Sequence, residues 1–135
     1  SLKVINSLKE INTVIENFEA FGEKNQIETP IIQKTSIVFD EILNNVISYG
    51  YEDDLEHLID IDLELKGERF IITITDDGKP FNPFKQSPPD TKLSVEERKL
   101  GGLGIHIVKS LMDEFNYRRN VDKNITTLVK YNVNK

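Results

Sequence analysis

The sequence predicts an α+β fold in which a mostly antiparallel sheet carries helices on one face. Three observations lead there. Two stretches of alternating apolar and polar residues, Ile59 to Leu65 and Phe70 to Thr75, flank the turn Lys66-Gly67-Glu68 and read as a hairpin. A second alternating pair, Phe115 to Val121 and Ile125 to Val133, closes around Asp122-Lys123-Asn124. The remaining long segments place apolar residues at helical spacing, one stripe each, as helices laid on a sheet do. At 135 residues the chain is read as one domain, residues 1–135, with room for a real core.

The elements follow in order. Residues 2–6 suit a short edge strand. From Ser7 to about Glu23, Leu8, Ile11, Val14, Ile15, Phe18 and Phe21 recur at helical spacing, and Gly22 or Asn25 marks the stop. Thr29-Pro30 opens a second helix, with Thr29 as N-cap and the proline in its first turn. Ile31, Ile32, Thr35, Val38, Phe39, Ile42, Leu43, Val46 and Ile47 fill one half of its wheel, and Gly50 is a candidate C-cap. Glu52 to Glu56 is an acidic, exposed connection to the first hairpin. Residues 79–99 hold Pro80, Pro83, Pro88 and Pro89 among many charges and few apolar anchors, a long stretch that suits a mobile lid or binding loop. Three glycines then open into a helix whose inward stripe is Leu103, Ile107, Val108, Leu111, Met112 and Phe115, with His106 on its surface.

Composition narrows the function. Hydrophobic residues make up 38% and charged ones 30%, as in ordinary globular proteins. A net charge of −6, with Arg118-Arg119 as the only dense basic spot, argues against a nucleic-acid partner. There is no cysteine, hence no thiolate metal site or disulfide, which fits a cytoplasmic protein. No apolar run approaches the length of a membrane span, and no membrane association is expected.

Three stretches carry chemistry. Glu41 and Asn45, four apart and beside the edge of the apolar stripe, form a carboxylate and amide pair within reach of one ligand. Asn is suited to a hard cation and Glu to ordering or deprotonating a nucleophile; two rim residues of an amphipathic helix would look the same. Asp76 closes the strand from Phe70 and shares a face with Phe70, Ile72 and Ile74, so on a buried face its carboxylate needs a donor, such as the amino group of adenine. The tripeptide Asp76-Asp77-Gly78 is equally a turn ending a strand. Gly101-Gly102-Leu103-Gly104, just before a helix, is either a cradle of backbone N–H groups for phosphate or a tight turn. It is not a P-loop, because Leu103 and Val108 stand where glycines are required, nor a Rossmann fingerprint, which Ile107 interrupts. Thr127 shares a strand face with Ile125, Val129 and Tyr131; its hydroxyl either joins Asp76 at a base or is that of an ordinary β-branched strand residue.

In order and spacing these stretches resemble the N, G1 and G2 boxes of the GHKL (Bergerat-fold) ATPase superfamily, and within it the small bacterial anti-sigma-factor serine/threonine kinases. The matching runs are Asp40-Glu41-Ile42-Leu43-Asn44-Asn45, Asp76-Asp77-Gly78-Lys79-Pro80-Phe81-Asn82-Pro83, and Gly101 through Val108. The resemblance implies a two-layer α/β sandwich with a mixed, mostly antiparallel sheet, ATP and Mg²⁺ as cofactors, and a lid at about 79–100. It implies Glu41 as the catalytic carboxylate and Asn45 as the metal ligand. Asp76 would read adenine with Thr127 nearby, Gly78 would let the backbone pass the base, and Gly101, Gly102, Leu103 and Gly104 would hold the phosphates. Implied partners are a sigma factor and an antagonist protein phosphorylated on serine, with the kinase a homodimer. Pro80 stands where the superfamily's first glycine box usually has a second glycine; the Gly-Lys-Pro-Phe form recurs in the kinase-like branch. A nucleotide-sensing module that sequesters a partner without phosphoryl transfer is the alternative. A histidine-kinase catalytic domain is disfavoured, since no phosphoacceptor helix precedes the ATPase region in this sequence.

Overall fold

The computed structural model describes residues 1–84 and 105–133. In chain order the elements are β1 (Leu2–Ile5), α1 (Glu10–Lys24), α2 (Thr29–Tyr49), β2 (Leu58–Lys66), β3 (Arg69–Asp76), a helical run over residues 105–111, β4 (Glu114–Asn120) and β5 (Lys123–Lys130). The strands form one five-stranded sheet in the order β1-β2-β3-β5-β4, and every pairing among the described residues is antiparallel. These strands therefore supply no parallel pair to the mixed sheet expected.

The turn chemistry explains the first hairpin. Lys66 pairs with Arg69, leaving a two-residue turn in which Gly67 takes φ +60°, open to a residue without Cβ. Period-two burial follows: Phe70, Ile72, Ile74 and Asp76 are buried on β3, while Ile71, Thr73 and Thr75 on the opposite face are only partly covered. The buried face meets α1 and α2. Phe18 of α1 lies 5.1 Å from Phe39 of α2 and 5.5 Å from Phe70 of β3, ring centre to ring centre, so three elements lock at one aromatic cluster. Each such side chain contributes on the order of 1.5–3 kcal/mol by leaving water.

One helix end departs from the sequence reading and another agrees with it. Thr29 is the first residue of α2 and not its cap; Glu28 holds the cap position, and no side chain closes that end. Asn25 ends α1, and Gln26 takes the left-handed φ of 59°, so that Ile27 N–H reaches Gly22 O at 2.9 Å and Gln26 N–H reaches Glu23 O at 3.2 Å. On the 105–111 helix, Ile105 and Val108 are buried and Ile107 is exposed, so the inward stripe is turned by comparison with the one expected; His106 is exposed, as expected. No helix among the described residues is long and apolar enough to cross a membrane.

Candidate functional site

Helix α2 sets the first part of the site. Burial of Val38, Phe39, Ile42, Leu43 and Val46 fixes its rotation on the sheet. Asn45 is thereby carried to the margin of the core, only 9% exposed, yet its side chain makes no hydrogen bond among the described residues. Glu41, one turn earlier, is half-buried. Burial pushes its carboxyl above the ordinary range, and the charge of Asp40 pushes the same way.

A close backbone crossing ties this helix to the strand that bears Asp76. The carbonyl of Gly50, at the end of α2, accepts the N–H of Lys79 at 2.8 Å. A Cβ on Gly78 would stand 2.4 Å from that carbonyl oxygen and 3.0 Å from Asp76 Oδ1. Glycine is required here for chain to pass chain, a role distinct from the clearance for a base that the resemblance implies.

Asp76 ends β3 on the helix-covered face and is 3% exposed. Its Oδ1 accepts two hydrogen bonds, from Gly78 N–H and from Asn124 Nδ2, both at 2.9 Å. Oδ2 has no protein donor among the described residues. Burial raises the carboxyl's pKa, as does Asp77; the bonds from Asn124 and Gly78 and the cation of Arg119 oppose the rise. The arrangement is a buried acceptor with one oxygen anchored and one left for a ligand.

The register corrects the threonine. Asp76 stands opposite Asn124 and Ile74 opposite Thr126, whereas Thr127 stands opposite Thr73 on the other face. Thr126 is buried beside Asp76; Thr127 is only partly buried and cannot share its ligand. Both faces of β5 carry apolar side chains, so the alternation in the sequence did not select between them. The same register supplies a residue that the sequence reading left in a turn: Asn124, 1% exposed, whose amide connects β3, β5 and the start of the first glycine box. Its burial at a hairpin next to alternating Thr126 and Leu128 was the available signal.

A second cluster borders the site. His57 places Nδ1 3.0 Å from Asp77 Oδ1 and Nε2 2.8 Å from Asp53 Oδ1, and its ring stacks on Tyr51 at 4.7 Å. Those two bonds, with Asp53 the stronger influence, raise the imidazole pKa. The Tyr51 hydroxyl is buried without a partner among the described residues, and burial, with Asp76, Asp77 and Asp53 nearby, raises its pKa. Gly101, Gly102, Leu103, Gly104 and most of the expected lid at 79–100 lie outside the described residues. Among the described residues no group of three or more His, Cys, Asp or Glu is placed to hold a metal.

Sheet and covering helices are those of an ATPase domain of the GHKL class. The chain belongs to the histidine kinase-like ATPase domain family, whose profile matches residues 5–130. It is 28% identical over 109 residues to the anti-sigma F factor of Anoxybacillus flavithermus, covering 78% of this chain and 75% of that protein. It is 25% identical to the serine/threonine-protein kinase BtrW of Bordetella bronchiseptica, covering 68% of this chain and 65% of that one. With the serine-protein kinase RsbW of Staphylococcus aureus it shares 30% over 88 residues, 62% of this chain and 55% of RsbW. The chain thus spans 55% to 75% of the length of these relatives. Among solved structures, the RsbU and RsbW domains of a Mycobacterium tuberculosis protein superpose with a TM-score of 0.63 at 12% identity, over 97% of this chain and 32% of that one. The catalytic domain of histidine kinase ThkA gives a TM-score of 0.56 at 13% identity over the whole of both chains. At such identities the likeness establishes the fold alone.

Proposed function

We propose that this protein is an ATP-dependent serine/threonine kinase that acts as a cytoplasmic bacterial anti-sigma regulatory factor, phosphorylating a serine on an antagonist protein in a partner-switching pathway. The observation that carries the proposal is on α2, where a half-buried Glu41 with a raised pKa sits one turn from a buried Asn45 whose amide has no partner among the described residues. The relatives named as anti-sigma factor and serine kinases support it. Asp76, with Thr126 in place of Thr127, receives the adenine, and the phosphates are assigned to Gly101, Gly102, Leu103 and Gly104 on the sequence resemblance. Asn45 fits a Mg²⁺ ligand because its oxygen has no partner among the described residues; the bound ion would neutralise phosphate charge. The partner's serine oxygen attacks the γ-phosphorus, the bond from that phosphorus to the bridging oxygen breaks, ADP leaves, and the serine proton passes to the Glu41 carboxylate. A raised pKa makes the ionised carboxylate a better base. A sigma factor and the antagonist are the partners, with the kinase a homodimer.

The test uses labelled ATP, Mg²⁺ and a candidate antagonist. Glu41→Ala should abolish labelling of the antagonist, by at least about a hundredfold, while leaving the Kd for ATP nearly unchanged. Loss of ATP binding in that variant would overturn the catalytic assignment. Wild-type protein that binds ATP and partner but labels nothing would favour sequestration without phosphoryl transfer.

A further inference from the structure

Asn124 has more hydrogen bonds than a hairpin residue needs. Its Nδ2 donates to Asp76 Oδ1 at 2.9 Å and to Lys79 O at 2.8 Å, with Gly78 O further away at 3.5 Å. Its Oδ1 accepts from the Tyr117 hydroxyl, from Arg119 Nη1 at 3.1 Å and from Phe81 N–H at 3.4 Å. The amide therefore has one possible orientation, since turning it over would aim Nδ2 at three donors and Oδ1 at acceptors. Arg119 also donates to Gly78 O at 2.7 Å, bracing the same turn from β4.

We propose that Asn124 is a positioning residue that sets nucleobase selectivity: by donating to Oδ1 it holds Asp76 as a pure acceptor whose Oδ2 admits the 6-amino group of adenine and rejects a 6-oxo purine. The inference rests on the ATP-site reading above. A protonated Asp76 would carry its proton on Oδ2, the oxygen without a donor among the described residues, and would then donate to a carbonyl in place of accepting from an amine. Burial drives the carboxyl toward that protonated form; Asn124, Gly78 N–H and Arg119 drive it back. The other groups facing Asp76 do not change this balance in favour of the anion. Asp77 on its own strand repels it, Tyr51 from the connection after α2 has a raised pKa and is neutral, and His57 is engaged by Asp53 and Asp77. Thr126 beside it on β5 has no charge.

The experiment measures Kd for ATP and for inosine triphosphate, which differs at the 6-position, with the full chain at about pH 6 and about pH 8. Asn124→Ala should lower the preference for ATP at least about tenfold, with the greater loss at the lower pH. Arg119→Gln, on an exposed side chain, should move selectivity the same way by less. If Asn124→Ala weakens both nucleotides by one factor at both pH values, Asn124 merely supports the fold and the proposal fails. Should that variant not fold by circular dichroism, Arg119→Gln decides, and unchanged selectivity there overturns it. Wild-type protein that binds neither nucleotide overturns the ATP-site reading itself, a result separate from nucleotide binding without selectivity.

Discussion

Asp76 is placed where its charge opposes folding. A group whose pKa is raised in the folded state contributes stability that is present below its ordinary value of 3.8 and is lost as pH rises through the raised value. At neutral pH the ionised carboxylate is therefore a cost to the free protein. Asp76→Asn keeps an oxygen for Gly78 N–H and Asn124 Nδ2 but puts an NH₂ group where Oδ2 was. Differential scanning calorimetry at neutral pH should show the variant melting above wild type, while titration calorimetry shows ATP affinity down by about a hundredfold. A variant that melts lower and binds ATP normally would mean that this carboxylate is a structural group. Glu41 shares the pattern more weakly, because burial raises its pKa too. Both residues of chemical interest are held against their solvation preference, while the Asn45 side chain makes no hydrogen bond among the described residues; such groups suit a site that takes a ligand.

Between elements, the decisive contact is the crossing of the end of α2 over the end of β3. Lys79 N–H bonds to Gly50 O, and there is no space for a side chain at Gly78. This contact ties the end of the helix bearing Glu41 and Asn45 to the end of the strand bearing Asp76. Adding one methyl group tests it. Gly78→Ala must push Gly50 and Asp76 apart, so we expect a loss of about 1–3 kcal/mol in unfolding free energy. ATP binding should weaken by more than that loss of stability explains, at a temperature where the variant remains folded. Urea titration together with ATP titration checks both; unaltered ATP affinity in a destabilised variant would show that α2 and β3 keep their spacing without this contact. A Cβ on Gly50 would instead stand 2.4 Å from Val46 O, so Gly50→Ala would strain the last turn of α2 itself.

Across the whole molecule, hairpins and helices were legible because their periodicity is local: Phe70 through Asp76 alternates strictly, and α2 has one unbroken stripe. What pairs at a distance was not. The sheet order puts β5 beside β3, and only that register chooses Thr126 and Asn124 over Thr127. The clasp at His57 is likewise non-local. Its backbone N–H donates to Asn6 Oδ1 at 2.9 Å and its carbonyl accepts Asn6 N–H at 3.0 Å, while its ring bonds Asp53 and Asp77, so one residue joins the end of β1, the connection after α2 and the end of β3. With a carboxylate at each nitrogen the ring needs two N–H donors, which only the imidazolium has. The raised imidazole pKa gives a contribution fully present below the ordinary value of 6.5 and lost as pH rises through the higher folded value. Asp53, whose pKa is lowered chiefly by its bond from His57, gives one present above 3.8 and lost as pH falls through the depressed value. The clasp therefore works in the window between these limits. Thermal melts should show wild type exceeding His57→Gln at about pH 6, with the gap narrowing toward about pH 9 as the imidazole loses its proton. A gap that stays constant across that range would mean that His57 acts by stacking on Tyr51 and by its backbone bonds to Asn6, and that its charge plays no part in holding the three segments together.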